Sequence, residues 1–323
     1  MEGAKDLPGK GGVLARFAEL LGTNVENNRV NIPEEYGKGY TAAYVLSKHV
    51  AMLINNHILY KEIAYKSPEN NISQQMIFFK FQNIIADPEG ISAGTGVREL
   101  PSVQISTMGL SPDIIIPGRV NRSHINIMVD VDYLRKSISF PEKSPVIQTI
   151  LENNRPLLFE QIVQPSFQKI ADEIITGIAD KSLELFFYRI KAEELVCRLL
   201  VELGKREDTH IYPLNTQDIQ TIYKVRERLL EHLDASPTID ELAEFANMSL
   251  SKLKRIFKQI FGDSIFNYYQ AFRMQEATRL LKEERLSVSE VGYRLGFSNL
   301  SHFSRVFEQH VGMKPKKYTS SFL

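Results

Sequence analysis

Hydrogen-bond donors occur at matching positions in two segments of the last third of this chain. The first segment reads SLSKLKRIFKQ, and the second reads NLSHFSRVFEQ. The donors are Ser251, Lys252, Lys254, Arg255 and Lys258 in the first segment and Ser301, His302, Ser304 and Arg305 in the second. Arg and Lys contact guanine or phosphate, and Ser bonds to bases or phosphates. The pattern indicates a nucleic-acid surface, and the alternative is a solvated basic helix face.

A longer repeat contains both segments, and its duplication favours DNA over the solvated face. Residues 238–262 match residues 287–312 at an offset of 49 that becomes 50 after a one-residue insertion. In each copy, apolar residues at helical spacing are followed by a short break and a second helical stretch. Asn247 and Gly296 lie in these breaks, and both residue types tolerate the left-handed conformation that ends a helix. Each copy therefore predicts a helix–turn–helix unit.

The start of each copy carries a capping-box pattern. Thr238 is followed three residues later by Glu241, and Ser287 is followed three residues later by Glu290. The hydroxyl of such a pair caps the third helical amide while the Glu side chain reaches back to the cap amide. Both first helices are therefore predicted to begin at these residues.

One predicted helix, 264–284, separates the two copies, and another, 217–233, precedes them. About 20 residues at 1.5 Å each span roughly 30 Å. Successive major grooves on one face of DNA recur every ~34–36 Å. The intervening helix is therefore interpreted as a strut that separates two groove-reading helices, 251–261 and 300–310.

The region 217–322 resembles the DNA-binding domain of the AraC/XylS family of bacterial transcriptional regulators. The residues that carry the resemblance are Gly296, Phe297, Ser301, Phe303, Arg305, Phe307, Gly312, Pro315 and Tyr318. The resemblance implies seven helices, of which the third and sixth enter successive major grooves. It assigns DNA contacts to the donor positions given above, with Lys252, Lys258 and His302 as weaker candidates. Leu300 departs from the family, which has a polar residue at that position.

The composition is that of a soluble globular protein with two domains. The chain has 323 residues, 43% hydrophobic and 24% charged, and a formal net charge of zero. Residues 252–323 hold 13 Lys and Arg against 6 Asp and Glu, a charge of +7, so the rest of the chain carries −7. The basic end favours a polyanionic partner. The absence of a long apolar run and the single cysteine, Cys197, predict a cytoplasmic protein with no membrane association.

The N-terminal two thirds are predicted to form an α+β domain. Strand-like segments are HILYKEIAY, MIFFKFQNIIA, SVQISTMGL, DIIIPG and SHINIMVDV. From residue 144 the apolar spacing becomes helical, through VIQTILEN, LLFEQIVQPSFQKIADEIITGIA and SLELFFYRIKAEELVCRLLVEL. Within the last segment Cys197 is predicted to be buried, and its apolar stripe fits core packing and dimerisation equally well.

The resulting domain plan has four parts. They are an N-terminal tail and helix at 1–30, an effector-binding and dimerisation domain at 31–203, a linker at 204–215 and the DNA-binding domain at 216–323. The family resemblance implies that the second part is a small cupin-like β-barrel followed by dimerisation helices. The stretch that begins IPEEYGKGYTAAY resembles the siderophore-responsive subgroup of the family.

An enzymatic function is not expected. The His residues are dispersed without a metal-ligand spacing, and GKGG near the N-terminus lacks the flanking residues of a phosphate-binding loop. No cofactor, metal or catalytic residue is therefore predicted. The expected protein is an effector-responsive transcriptional activator that forms homodimers, with duplex DNA, a small-molecule effector and RNA polymerase as partners. In the alternative, residues 1–203 only oligomerise and bind no small molecule.

Overall fold

The computed structural model of this chain describes residues 12–65, 75–85, 101–107, 114–116, 121–138, 144–153, 157–162, 165–206, 211–212 and 214–322. The GKGG stretch at the N-terminus and part of the predicted linker lie outside these residues. The chain divides into two compact units, Met1–Asn215 and Thr216–Leu323. Each unit is described by itself.

An antiparallel sheet forms the centre of the first unit. The described strands are β1 (Arg29–Asn31), β2 (Gly37–Val45), β3 (Val50–Leu59), β4 (Ile63–Tyr65), β5 (Met76–Gln82), β6 (Ser102–Ser106), β7 (Ile114–Ile116), β8 (Asn121–Asp130) and β9 (Leu158–Ile162). Seven of them pair in the order β1-β2-β3-β8-β5-β6-β9, while β4 pairs with β7. The mixed α and β composition is confirmed, and closure of the sheet into a cupin-like barrel stays a prediction.

One face of this sheet is an apolar row that crosses five strands. The row consists of Met52, Ile127, Phe79, Ile105 and Phe159, which are paired in register. All five side chains are fully buried. Each contributes about 1.5–3 kcal/mol relative to an exposed side chain. This face therefore provides the core against which the helices pack.

Five helices accompany the sheet. They are α1 (Val13–Leu20), α2 (Val131–Ser137), α3 (Pro145–Glu152), α4 (Pro165–Thr176) and α5 (Glu184–Gly204), with a single 3₁₀ turn at Lys181–Leu183 before α5. Helices α2 to α5 contribute to the core on the apolar face. Phe17 of helix α1 and Leu21, which follows the helix, pack with Ala43 and Leu59 on the opposite face.

Three expectations for this unit were wrong. The segment at Leu158–Ile162 is strand β9 instead of a helix, because it pairs with β6 and Pro165 disfavours a helix immediately before it. Strand β3 begins at Val50, seven residues before the predicted start at His57. Cys197 is exposed, because the buried face of α5 runs through its neighbour Val196 and through Leu199.

The second unit contains seven described helices, the number implied by the family resemblance. They are α6 (Thr216–Leu230), α7 (Ile239–Ala246), α8 (Leu250–Phe261), α9 (Ile265–Lys282), α10 (Val288–Arg294), α11 (Leu300–Val311) and α12 (Pro315–Ser320). The predicted strut is α9, whose residues Ala277 and Leu280 share a core with Val291, Phe303 and Phe307. Among the described residues, no helix has the length and apolar character that crossing a membrane requires.

Candidate nucleic-acid interface

Capping boxes fix the starts of α7 and α10, as the sequence predicted. Thr238 Oγ1 accepts a hydrogen bond from the Glu241 amide, and Glu241 Oε2 accepts one from the Thr238 amide at 2.7 Å. Ser287 and Glu290 form the same pair of bonds. These bonds hold the pKa of both Glu carboxyls below the usual value. The first helix of each pair is therefore positioned by local chemistry.

The turns that follow have the predicted left-handed residues. Asn247 has φ +50° and Gly296 has φ +75°. At Gly296 a Cβ atom would lie 2.0 Å from the backbone oxygen of Asp234, so only glycine fits without a shift of the backbone. Ser249 then caps α8, and Asn299 caps α11 through bonds from the amides of its first turn. In both helix pairs, α7–α8 and α10–α11, a defined turn thus connects the first helix to the second.

The second helices α8 and α11 each have one buried face. The apolar residues predicted for these faces are all buried: Leu253, Ile256, Phe257 and Ile260 in α8, and Phe303, Val306 and Phe307 in α11. Burial of these faces fixes which side chains of α8 and α11 point outward. The outward sides then hold the predicted DNA contacts.

Most of the predicted contact residues are exposed, and Lys252 carries an ion pair. The exposed ones are Ser251, Lys254, Arg255 and Lys258 on α8 and Ser301, His302 and Arg305 on α11. Ser304 is half-buried. Lys252 Nζ lies 2.9 Å from Asp218 Oδ1 on α6, with its side chain 41% exposed. Its charge is therefore partly neutralised within the unit, so Lys252 is a weaker candidate for DNA contact than Lys254.

Leu300 has a packing role that explains why its residue type departs from the family pattern. A Cβ atom added at Gly292 on α10 would lie 2.6 Å from Leu300 Cδ2. The Leu300 side chain therefore lies against the glycine of the preceding helix, where it helps to fix the angle between α10 and α11. Its apolar atoms are directed toward the helix pair, so the predicted base contacts are the donors that follow it.

A buried arginine on α9 supports the second turn. The Arg273 guanidinium lies 3.9 Å from the centre of the Phe297 ring and donates a hydrogen bond to the Leu295 carbonyl, beside Gly296. Burial lowers the pKa of Arg273. The sequence analysis missed this residue, since an arginine inside an amphipathic helix gives no local signal of burial.

The first unit holds a second candidate site that the sequence analysis also missed. On the sheet face opposite the apolar row, Thr41 Oγ1 donates to Asn55 Oδ1 at 3.1 Å, and Asn55 Nδ2 donates to His124 Nε2 at 3.0 Å. Further along this face, Ser102 Oγ donates to Glu160 Oε1 at 3.0 Å and accepts from the amide of Gln82. Except for the half-buried Gln82, these side chains are buried. We refer to these six residues as the polar row.

Comparisons with known proteins find similarity to DNA-binding regulators. A family profile described as a helix-turn-helix domain matches residues 242–321. The chain is 31% identical over 135 residues to the HTH-type transcriptional regulator GbdR of Pseudomonas aeruginosa, covering 41% of this chain and 34% of that protein. It is 27% identical over 158 residues to the HTH-type transcriptional activator RhaR of Yersinia pestis, covering 47% of this chain and 53% of that protein.

A solved structure is also similar to part of this chain. It is the DNA-binding domain of the global transcriptional factor AdpA in complex with a target DNA, at 28% identity and a TM-score of 0.30. The match covers 32% of this chain and 92% of that structure. The chain thus spans about a third of the length of GbdR and about half of RhaR in the regions that match.

Proposed function

We propose that this chain, whose C-terminal domain is a helix-turn-helix domain of the AraC type, is a transcriptional regulator that binds specific duplex DNA through α8 and α11. The observation that carries the proposal is the repeated presentation of donors on two capped helices whose opposite faces are buried. Donors on a helix that enters the major groove contact base edges and phosphates. Helix α9 would act as the strut between the two reading helices.

The two helices differ in the kind of contact they offer. Helix α8 presents Lys254 and Lys258, where α11 has Ser304 and Glu308 at the matching positions. Lysine acts on phosphate as a flexible point charge, whereas Ser and Arg form directional bonds. We therefore assign more of the phosphate attraction to α8 and more of the base recognition to α11, with Ser301 and Arg305 as its main donors.

The salt dependence of binding tests the DNA-binding proposal. Affinity of the full chain for duplex DNA is measured by fluorescence anisotropy at several salt concentrations. Each phosphate neutralised by Lys or Arg should add about −0.9 to the slope of log K against log salt concentration. Binding that does not depend on salt, or no binding to any duplex, would refute the proposal.

The polar row supports the proposal that the first unit binds a small-molecule effector. Buried hydroxyl, amide, imidazole and carboxyl groups cost free energy compared with apolar side chains of the same size. The polar row lies on one face of the sheet, and the apolar row lies on the other face. Their retention favours a site that hydrogen-bonds a ligand, and the alternative is a network that only specifies the fold of an oligomerisation module.

Replacement of one member of the polar row separates these two functions. Small polar compounds are screened by thermal shift for those that stabilise the wild-type chain and change its affinity for DNA. Asn55→Leu should abolish that response while the chain stays folded. If no compound stabilises the wild type and the Asn55→Leu variant melts at a higher temperature than the wild type, the first unit is better described as an oligomerisation module.

An exposed apolar side of α5 supports the proposed homodimer. Helix α5 buries Leu195 and Leu199, but Phe186 is 65% exposed, Ile190 46% and Val201 55%. The helix thus contributes to the core with one side and leaves a second apolar side uncovered within the chain, as interfaces between subunits do. Phe186→Glu should convert dimers to monomers in analytical ultracentrifugation, and an unchanged dimer would exclude this face. Activation of transcription, with RNA polymerase as a further partner, completes the proposal.

A further inference from the structure

A cleft of about 200 Å³ lies between the first turn of α9 and one side of α11. Phe266 and Asn267 line it from α9, and His302, Arg305, Gln309 and His310 line it from α11. None of the residues that line the cleft in the described part of the chain is acidic. Arg305, which also belongs to the predicted DNA contacts, makes no hydrogen bond or ion pair to another described residue. The cleft is thus rich in donors, and one of them is a guanidinium.

In the first helix pair, an ion pair and buried side chains occupy the corresponding positions. There the Nζ atom of Lys252, which aligns with His302, lies 2.9 Å from the Oδ1 atom of Asp218 on α6. Gln259 is 4% exposed and Ile260 is fully buried, whereas the aligned residues of α11, Gln309 and His310, are exposed. The aligned residues of the first copy are thus paired or buried, whereas those of the second copy line the cleft.

We propose that this cleft binds a phosphate group of the DNA backbone when α11 occupies the major groove, so that α9 contacts DNA in addition to separating the two helix pairs. The inference rests on the proposed function. The cleft adjoins Arg305 on the predicted reading helix, and its open volume is below the 300–1,000 Å³ usual for a drug-sized ligand. An anion of phosphate size that remains attached to a longer polymer fits both the volume and the donors.

Asn267 is the residue of α9 that would bind the phosphate. Its Nδ2 donates one hydrogen bond to Asp263 Oδ1 at 2.9 Å, which leaves the second amide hydrogen for the cleft. The Asp263 carboxylate also accepts a bond from the Ser264 amide, so its charge is engaged at the start of α9. Phe266, 62% exposed, forms the apolar wall of the cleft and would pack against a deoxyribose ring.

The test measures binding of the full chain to a mixed-sequence duplex of about 30 bp, three helical turns, in ~0.1 M salt. Backbone contacts do not depend on sequence, so the natural target is not required. Asn267→Ala should weaken binding about tenfold, the lower end of what a hydrogen bond to a charged group contributes. Gln309→Glu should weaken it at least as much, because the new carboxylate repels phosphate.

Gln275→Glu is the matched control. It makes the same chemical change as Gln309→Glu, but on α9 and outside the cleft. Gln275 lies about 12 Å along the helix from Asn267, which is beyond the electrostatic screening length at this salt concentration. The affinity of the Gln275→Glu variant for the duplex should therefore stay within about twofold of the wild-type affinity. Far-UV circular dichroism of each variant checks that the helical fold is intact, which is expected because Asn267 and Gln309 are exposed.

The outcomes separate the cleft from the proposed function. If the wild type binds no duplex, both fall. If the wild type binds and both cleft variants match the control, only the phosphate site is refuted. Inorganic phosphate, titrated at constant ionic strength, gives the third arm: loss of phosphate binding in Asn267→Ala with unchanged DNA affinity would make the cleft a site for free anions and overturn the proposal.

Discussion

Replacement of Gly296 by Ala should destabilise the second unit by about 2–5 kcal/mol. Its φ of +75° costs a non-glycine residue about 1–2 kcal/mol. A Cβ atom there would also lie 2.0 Å from the Asp234 oxygen, and a backbone shift of this kind costs about 1–3 kcal/mol. Domains have total stabilities of about 5–15 kcal/mol, so the change removes a large share.

Two other glycines separate the contributions to this cost. Gly312 has φ +81° with open space where a Cβ would lie, so Gly312→Ala should cost only about 1–2 kcal/mol. Gly292 has a helical conformation, and a Cβ there would lie 2.6 Å from the flexible end of Leu300 and 3.3 Å from the Phe303 ring. Gly292→Ala gains about 1 kcal/mol from the higher helix propensity of alanine, and the overlap offsets this gain. The net change in the free energy of unfolding should therefore be near zero.

Urea unfolding of the full chain, followed by far-UV circular dichroism, measures the three variants. The midpoint of the transition that belongs to the second unit should fall most for Gly296→Ala, less for Gly312→Ala and least for Gly292→Ala, with an unchanged slope. Equal losses for Gly296→Ala and Gly312→Ala would show that the Asp234 backbone accommodates a methyl group. The close approach of Gly296 to Asp234 would then not be what holds α10–α11 in place.

Three further changes test other parts of the reasoning. Arg305→Ala should weaken specific DNA binding by about 1–3 kcal/mol and relax the preference at one base in a binding-site selection, and an unchanged preference at every base removes it from the readout. Glu290→Gln should lower the melting temperature at neutral pH. Because bonds from Ser287 depress the Glu290 pKa, the stabilisation is present above the usual Glu pKa of about 4.3 and is lost as the pH falls through the depressed pKa, so wild type and variant should converge in acid. Phe303→Ala should cost about 3–5 kcal/mol in urea unfolding, because the ring is fully buried between Phe297 and Phe307.

Features fixed by residues close together in the sequence were predicted correctly. The capping boxes, the left-handed turn residues and the buried faces of α8 and α11 each depend on side chains within about one or two helical turns. The repeat strengthened these predictions, because the same signals occur twice. The α6 and α9 boundaries were close for the same reason, with α9 at Ile265–Lys282 against the predicted 264–284.

Features that depend on distant residues were missed. Strand β9 follows an apolar pattern that fits a helix, and its pairing with β6 joins residues more than 50 positions apart. The polar row has the same origin: Thr41, Asn55 and His124 are adjacent only because β2, β3 and β8 pair in one register. A polar residue in a strand gives no local sign of which face it occupies until the register is known.

In the proposed function, the two helix pairs have different tasks, and their aligned residues differ accordingly. In the first, the Lys252–Asp218 ion pair and the buried Gln259 close the space beside the reading helix. Helix α8 can then approach DNA mainly through charges at its surface, which tolerate small changes of position because Coulomb attraction falls off gradually. In the second, the aligned residues line an open cleft, and hydrogen bonds from Arg305 and its neighbours weaken steeply when the donor angle changes. In this proposal, the more demanding geometry therefore belongs to the copy whose turn contains the close-packed Gly296 and is supported by the buried Arg273.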